Sequence, residues 1–167
     1  GLDLVYTAVP ESAAQVVASY SPSLITCKLK GERLTIESLT HIEKILGKVS
    51  AVAIGPGLGM ADDTVEAVGK LVEMVGESGL PLVLDADGLK AYANNPVKLA
   101  SPTVFTPHGR EFKLLIGETA KGNHLQKGEI VSDAAKKLGG IVLLKGEVDI
   151  ISDGDYTRFN WTGNPGM

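Results

Sequence analysis

The sequence predicts an α/β fold: a mostly parallel sheet with helices on both faces and a C-terminal β-hairpin. Short runs of near-continuous apolar character, such as "PLVLD" and "IVLLKG", alternate with longer segments of helical period. Strands apolar on both sides belong in parallel sheets covered by helices. The last stretch, "VDIISDGDYTRFNW", reads as two strands turned at Asp153-Gly154, a hairpin signature.

The elements follow in order. "LDLVYTAV" is a buried strand, and "ESAAQVVASY" after Pro10 is a helix with Ala14, Val17 and Ala18 on one face. "LITCKL" is a short strand. "TIESLTHIEKILGKV" is a helix in which Ile36, Leu39, Ile42, Ile45 and Leu46 form a stripe, with Gly47 as its stop. "AVAIG" is a strand ending in "GPGLGM". The long helix "ADDTVEAVGKLVEMVGESG" carries Asp62 and Asp63 at its positive amino end. Then come the strand "PLVLD", the loop and short helix "ADGLKAYA", the strand "TVFT", two helices opened by "PHGREFKLLIG" and "KGEIVSDAAKKLGG", and the strand "IVLLKG". No repeat or linker divides the chain, so 1–167 reads as a single domain.

Composition narrows the function classes. With 44% hydrophobic and 22% charged residues the chain has ordinary globular usage. A net charge of −4 and 5% aromatic residues argue against a nucleic-acid partner, which needs a basic footprint or stacking platforms. A single nucleotide is still accommodated, since a few amides and one lysine suffice. The lone Cys27 cannot form an internal disulfide, which fits a reducing compartment. No leader opens the sequence and no apolar run approaches membrane-spanning length. A soluble, cytoplasmic protein with no membrane partner is therefore expected.

In open α/β sheets, ligands bind outside the carboxyl ends of the strands. The unusual residues gather there: "GPGLG" follows "AVAI", "DADGL" follows "PLVL", "TPHGREF" follows "TVF", and "KGEVD" follows "IVLL". Parallel strands would open all four loops onto one rim. Gly55, Gly57 and Gly59 suit a sharp strand-to-helix turn whose amides face an anion, or simply a tight turn. The spacing matches neither G-x-G-x-x-G nor a P-loop. Asp85 and Asp87 could hold a metal or orient a hydroxyl, or cap a helix and make an Asp-Gly turn. His108 and Glu111, three apart at a helix start, could donate to a substrate or form a capping pair. Lys145 before Gly146 suits a phosphate or adenine-contacting loop, or an exposed hairpin corner. His41, His124 and Cys27 lack metal-ligand spacing, so no metal site is expected.

Taken in order, "GLDLVYTAVPES", "AVAIGPGLG", "LVLDADGL", "VFTPHGREF", "LLKGEVDII" and "TGNPGM" resemble the ADP- or ATP-dependent NAD(P)H-hydrate dehydratases, repair enzymes on a ribokinase-like fold. The resemblance spans nearly the whole chain. It implies that hydrated NADH or NADPH is restored by phosphorylating the hydrate hydroxyl with ADP or ATP and eliminating phosphate; phosphoryl transfer itself favours a cation such as Mg²⁺. Position by position, it implies that Gly57 and the segment His108, Gly109, Arg110, Glu111 and Phe112 contact the hydrate. Lys145, Gly146, Glu147, Val148 and Asp149 would form one wall of the nucleotide site, and Asn164, Pro165, Gly166 and Met167 would begin the other. The family run is His, any residue, Gly, Glu, whereas this chain reads His108-Gly109-Arg110-Glu111. That displaces the glycine and leaves Arg110 as a candidate phosphate contact.

The family also has a first strand and glycine-serine loop upstream, and a Gly-Thr-Gly-Asp segment after "GNPGM" whose Asp is the catalytic base. These 167 residues are therefore expected to be an internal piece of a longer domain, inactive by itself. A fused epimerase domain and a homo-oligomer are compatible with the resemblance. The alternative is a small-molecule alcohol kinase of thiazole or pyridoxal type. Such relatives more often place Asn where His108 stands. A third reading is a non-catalytic nucleotide-binding fragment.

Overall fold

A computed structural model describes residues 4–162. The chain runs β1 (Val5–Pro10), α1 (Glu11–Tyr20), β2 (Leu24–Leu29), α2 (Ile36–Leu46), β3 (Val52–Ile54), α3 (Asp62–Glu77), β4 (Leu82–Leu84) and α4 (Ala86–Asn94). It continues with β5 (Thr103–Phe105), α5 (Gly109–Ile116), α6 (His124–Leu138), β6 (Ile141–Leu144), β7 (Asp149–Ser152) and β8 (Thr157–Asn160). Strands β3 to β8 form a six-stranded sheet in sequential order. The first four are parallel, and β7 and β8 add the expected antiparallel hairpin. The hairpin loop is tied at its start by the Asp153 carboxylate, which accepts from the Asp155 and Tyr156 amides at 3.0 and 2.7 Å.

Successive right-handed crossovers to the next strand put every connecting helix on the same side of a sheet. The core shows this. Ile54, Leu84, Phe105, Val142, Leu144 and Ile150 join one cluster with residues of α2 to α6. The alternate strand positions Ala53, Val83, Val104, Leu143 and Ile151 lie outside that cluster and are only half-buried or exposed. The expectation of helices on both faces of this sheet is thus corrected: among the described residues, helices of the core cluster cover one face. Helix α1 packs on β1 and β2, and its buried Ala14 stands outside the main core. With so little to cover, Ala18 is exposed. Ile36, in the first turn of α2, is exposed too, ahead of the buried Leu39, Ile42 and Leu46.

Helix α6 begins three residues before the reading from periodicity. Asn123 and Gln126 exchange side-chain-to-backbone hydrogen bonds of 3.0 Å in a capping box, which satisfies two of the amides that a helix start leaves unpaired.

The second departure is a break in the sheet. Strands β1 and β2 pair in parallel as a separate two-stranded sheet. The unpaired edges of β1 and β3 face a cleft of about 420 Å³ lined by Tyr6, Val9, Leu34, Ile45, Ala53 and Gly57 among others.

Candidate active site

The four loops predicted to share a rim do share it. Parallel pairing brings the carboxyl ends of β3, β4, β5 and β6 to one edge, and an isolated parallel bridge joins His108 to Lys145 beyond β5 and β6. Gly57 and His108 therefore stand at the same end of the sheet.

The glycine loop is held by close backbone contact. A side chain at Gly55 would overlap the Asp85 carbonyl oxygen, and one at Gly88 would overlap the Ile54 carbonyl oxygen. Those two glycines let the start of α4 pack on the end of β3. Gly57 differs: its φ of 75° is left-handed, yet an added Cβ would meet nothing within 4 Å. It faces open space at the mouth of the β1–β3 cleft. The Gly59 amide donates to the Asp87 carboxylate at 3.0 Å, and Lys90 reaches the other carboxylate oxygen at 2.8 Å. Lys90 and then the Gly59 amide hold Asp87 below the usual carboxylate range. Asp87 is thus a brace for the loop, and one amide read from sequence as an anion donor is already taken.

Asp85 stands at the N-cap position of α4 but makes no side-chain capping bond. Its carboxylate accepts from Lys145 Nζ at 2.7 Å. Burial opposes the charge, but the Lys145 ammonium outweighs it and leaves Asp85 below the usual range. The following Ala86 has φ 47°, a conformation that costs a non-glycine residue energy and collects at functional loops.

His108 caps α5. Its Nδ1 accepts from the Arg110 and Glu111 amides at 3.1 and 3.4 Å, and Glu111 Oε2 accepts from the His108 amide at 3.0 Å. An accepting Nδ1 places the proton of a neutral ring on Nε2, and the ring is 46% exposed. Nε2 in turn lies 3.4 Å from Glu111 Oε1, so both ring nitrogens are engaged by the α5 cap while the ring itself stays half-exposed. Glu111 is 6% exposed and works inward as the other half of the capping box. Arg110 is exposed at the helix start.

Two readings from the resemblance change in physical terms. Phe112 is 0% exposed and belongs to the core, so its side chain is not presented to a ligand. Gly109 lines a different cavity from Gly57. That cavity, of about 180 Å³, is bounded by Gly109, His124, Lys127, Lys145, Gly146, Glu147 and Val148, with others. Asp149 closes the turn beneath it, accepting from the Gly146 amide at 3.0 Å and from Asn160 Nδ2 at 3.1 Å. Asn164, Pro165, Gly166 and Met167 lie outside the described residues. His124 and Lys127, missed from sequence, come to this cavity because α6 starts early. Among the described residues, no group of three His, Cys, Asp or Glu side chains is placed to hold a metal ion. No helix among them is long and apolar enough to cross a membrane.

This mostly parallel sheet, with its candidate ligand loops on the carboxyl edge, has a ribokinase-like fold. A ribokinase-like superfamily protein from Enterococcus faecalis shares this fold with a TM-score of 0.80 at 20% identity, over 98% of this chain and 55% of that one. The chain belongs to the NAD(P)H-hydrate dehydratase family, whose sequence profile matches residues 1–167. It is 38% identical over 168 residues to the bifunctional NAD(P)H-hydrate repair enzyme Nnr of Pyrobaculum aerophilum, over 100% of this chain and 33% of that protein. It is also similar to the ADP/ATP-dependent NAD(P)H-hydrate dehydratase from Bacillus subtilis co-crystallized with ATP/Mg²⁺, at 25% identity and a TM-score of 0.70, over 98% of this chain and 55% of that one. The chain thus spans about a third of the length of the curated relative and just over half that of the solved structures.

Proposed function

We propose that the polypeptide carrying this chain repairs hydrated NADH or NADPH in a nucleotide-dependent dehydration. The observation that carries the reading is the meeting, on one sheet edge, of two differently lined recesses. One is the β1–β3 cleft that reaches Gly57, the other is walled by Lys145 to Val148, and the half-exposed His108 stands on the same edge. The first suits the hydrated nicotinamide and the second the nucleotide phosphates.

The chemistry is phosphoryl transfer followed by elimination. The substrate hydroxyl oxygen attacks the terminal phosphorus of ADP or ATP, and the bond to the bridging oxygen of the leaving nucleotide breaks. The ring nitrogen's lone pair then expels inorganic phosphate, and loss of a proton from the neighbouring carbon restores the double bond. The half-exposed His108 ring would border the nicotinamide end. Lys145 supplies positive charge beside the transferred group. A divalent cation would be held chiefly by the nucleotide's own phosphates.

We place residues 1–167 as one part of a larger single domain. The half-covered strand face carrying Val83, Val104, Leu143 and Ile151 supports this, as does the greater length of the relatives. The Asn164 to Met167 turn would complete the nucleotide wall. A fused epimerase domain is supported by the bifunctional relative, and a reducing cytoplasm by the unpaired Cys27. The test is incubation of the full-length polypeptide with hydrated NADH and either nucleotide. Recovery of reduced-nicotinamide absorbance is expected. A stable phosphorylated alcohol from a thiazole or pyridoxal-type substrate, with no recovery, would assign a kinase instead.

A further inference from the structure

The Asp85–Lys145 ion pair joins the two recesses. Asp85 follows β4 and Lys145 follows β6, so the pair spans the end of β5. On one side, the Asp85 backbone carbonyl packs on Gly55 of the glycine loop. On the other, the lysine stem lines the smaller cavity with Gly109 and Gly146. Both groups are about a third exposed, at 28% for the lysine and 33% for the carboxylate. The backbone beneath them is fixed as well, since the Lys145 amide donates to the Pro107 carbonyl at 2.9 Å.

An aspartate at a helix N-cap ordinarily accepts from the helix's own amides. This one makes no capping bond to the second or third amide of α4 and takes the Lys145 ammonium at 2.7 Å. We infer that Asp85 is a positioning residue that holds the Lys145 ammonium at the junction of the two recesses, in competition with the phosphates of an incoming nucleotide. This rests on the nucleotide-dependent reading above. A carboxylate in this place has two opposed effects. It disfavours the bound ground state, because it repels phosphate and occupies the ammonium. It favours the transfer step, because a lysine held between strand ends meets the migrating phosphoryl group without searching its rotamers.

That opposition gives a signature which a merely structural aspartate would not produce. In the full-length polypeptide, Asp85→Asn keeps shape and hydrogen-bonding capacity but removes the charge. ADP and ATP binding by calorimetry should tighten about two- to fivefold, the range of a partly exposed ion pair. Turnover number should fall about tenfold to a hundredfold. Lys145→Met should weaken nucleotide binding, and adding Asp85→Asn to it should return little or no affinity, because the two residues act as one unit.

Weaker binding together with slower turnover and a lower melting temperature in Asp85→Asn would make the residue structural and overturn the inference. So would unchanged binding and turnover, or an equal gain in affinity with and without Lys145. If the wild type binds nucleotide but restores no hydrate, the dehydratase reading fails while the affinity cycle still decides the competition between Asp85 and phosphate. Failure of the wild type to bind either nucleotide would overturn both.

Discussion

Replacing Glu111 by alanine should destabilise the protein far more than a surface carboxylate would. Glu111 is 6% exposed and accepts the His108 amide at 3.0 Å, while His108 Nδ1 accepts from the Glu111 amide at 3.4 Å. Truncation removes one half of a capping box, worth about 1 kcal/mol. It removes a negative charge from the first turn of α5, worth about 0.5 kcal/mol. The sum is about 1.5 kcal/mol. In urea, with a slope of about 2 kcal/mol/M for a small domain, the midpoint should fall by roughly 0.7 M with the slope unchanged. Glu111→Gln keeps an acceptor and loses only the charge, so about 0.5–1 kcal/mol is expected. Because His108 and Glu111 form one unit, the pair replaced together should cost less than the two single losses added. A Glu111→Ala stability within about 0.5 kcal/mol of wild type, or an equal loss in Glu111→Gln, would refute the capping assignment.

Two further outcomes follow from the same edge. Gly55→Ala would drive a methyl group into the Asp85 carbonyl and should lower the melting temperature sharply, whereas Gly57→Ala meets open space and should cost about 1 kcal/mol for its left-handed backbone. If Gly57 faces the hydrate, its variant should lose substrate affinity while staying folded. Thermal melts compared with hydrate KM separate the two, and equal melting temperatures would contradict the packing. Asp85 and Asp87 are both held below the usual carboxylate range. Their stabilisation is therefore present above the unfolded value of about 4 and lost as pH falls through the lower folded values. The stability gap between wild type and Asp87→Asn should stay constant from pH 7 to about 5 and close at more acid pH. A gap that closes between pH 7 and 5 would contradict that direction.

Much of this was legible in the sequence, and the exceptions share a cause. Helix α3 and strands β4 and β6 were readable because their period and their Gly, Pro and Asp boundaries are local features. The His108–Glu111 box was readable because its partners are three apart. The Asp85–Lys145 pair was not, since its members lie 60 positions apart and meet only through the parallel order of β4, β5 and β6. Phe112 was placed with the ligand contacts because it sits inside a motif. Its spacing of four from Ile116, both buried on α5, would have put it on the core face. One-sided cover of the sheet escaped detection because strands such as "VLL" and "DII" carry apolar residues at successive positions. Alternation, the signal that separates a covered face from an open one, is then erased. The split between β1–β2 and the larger sheet was hidden for a related reason, as an apolar strand does not encode which neighbour it pairs with.

The central claim is that hydrate and nucleotide meet at the carboxyl edge of β3 to β6. A crystal structure of the full-length polypeptide with a non-hydrolysable ATP analogue and reduced nicotinamide dinucleotide tests it most directly. The phosphates should lie against Lys145 to Val148, and the nicotinamide should sit between Gly57 and His108, within reach of the terminal phosphate. Either ligand seated at the opposite end of the strands, or the two bound at separate edges, would contradict it.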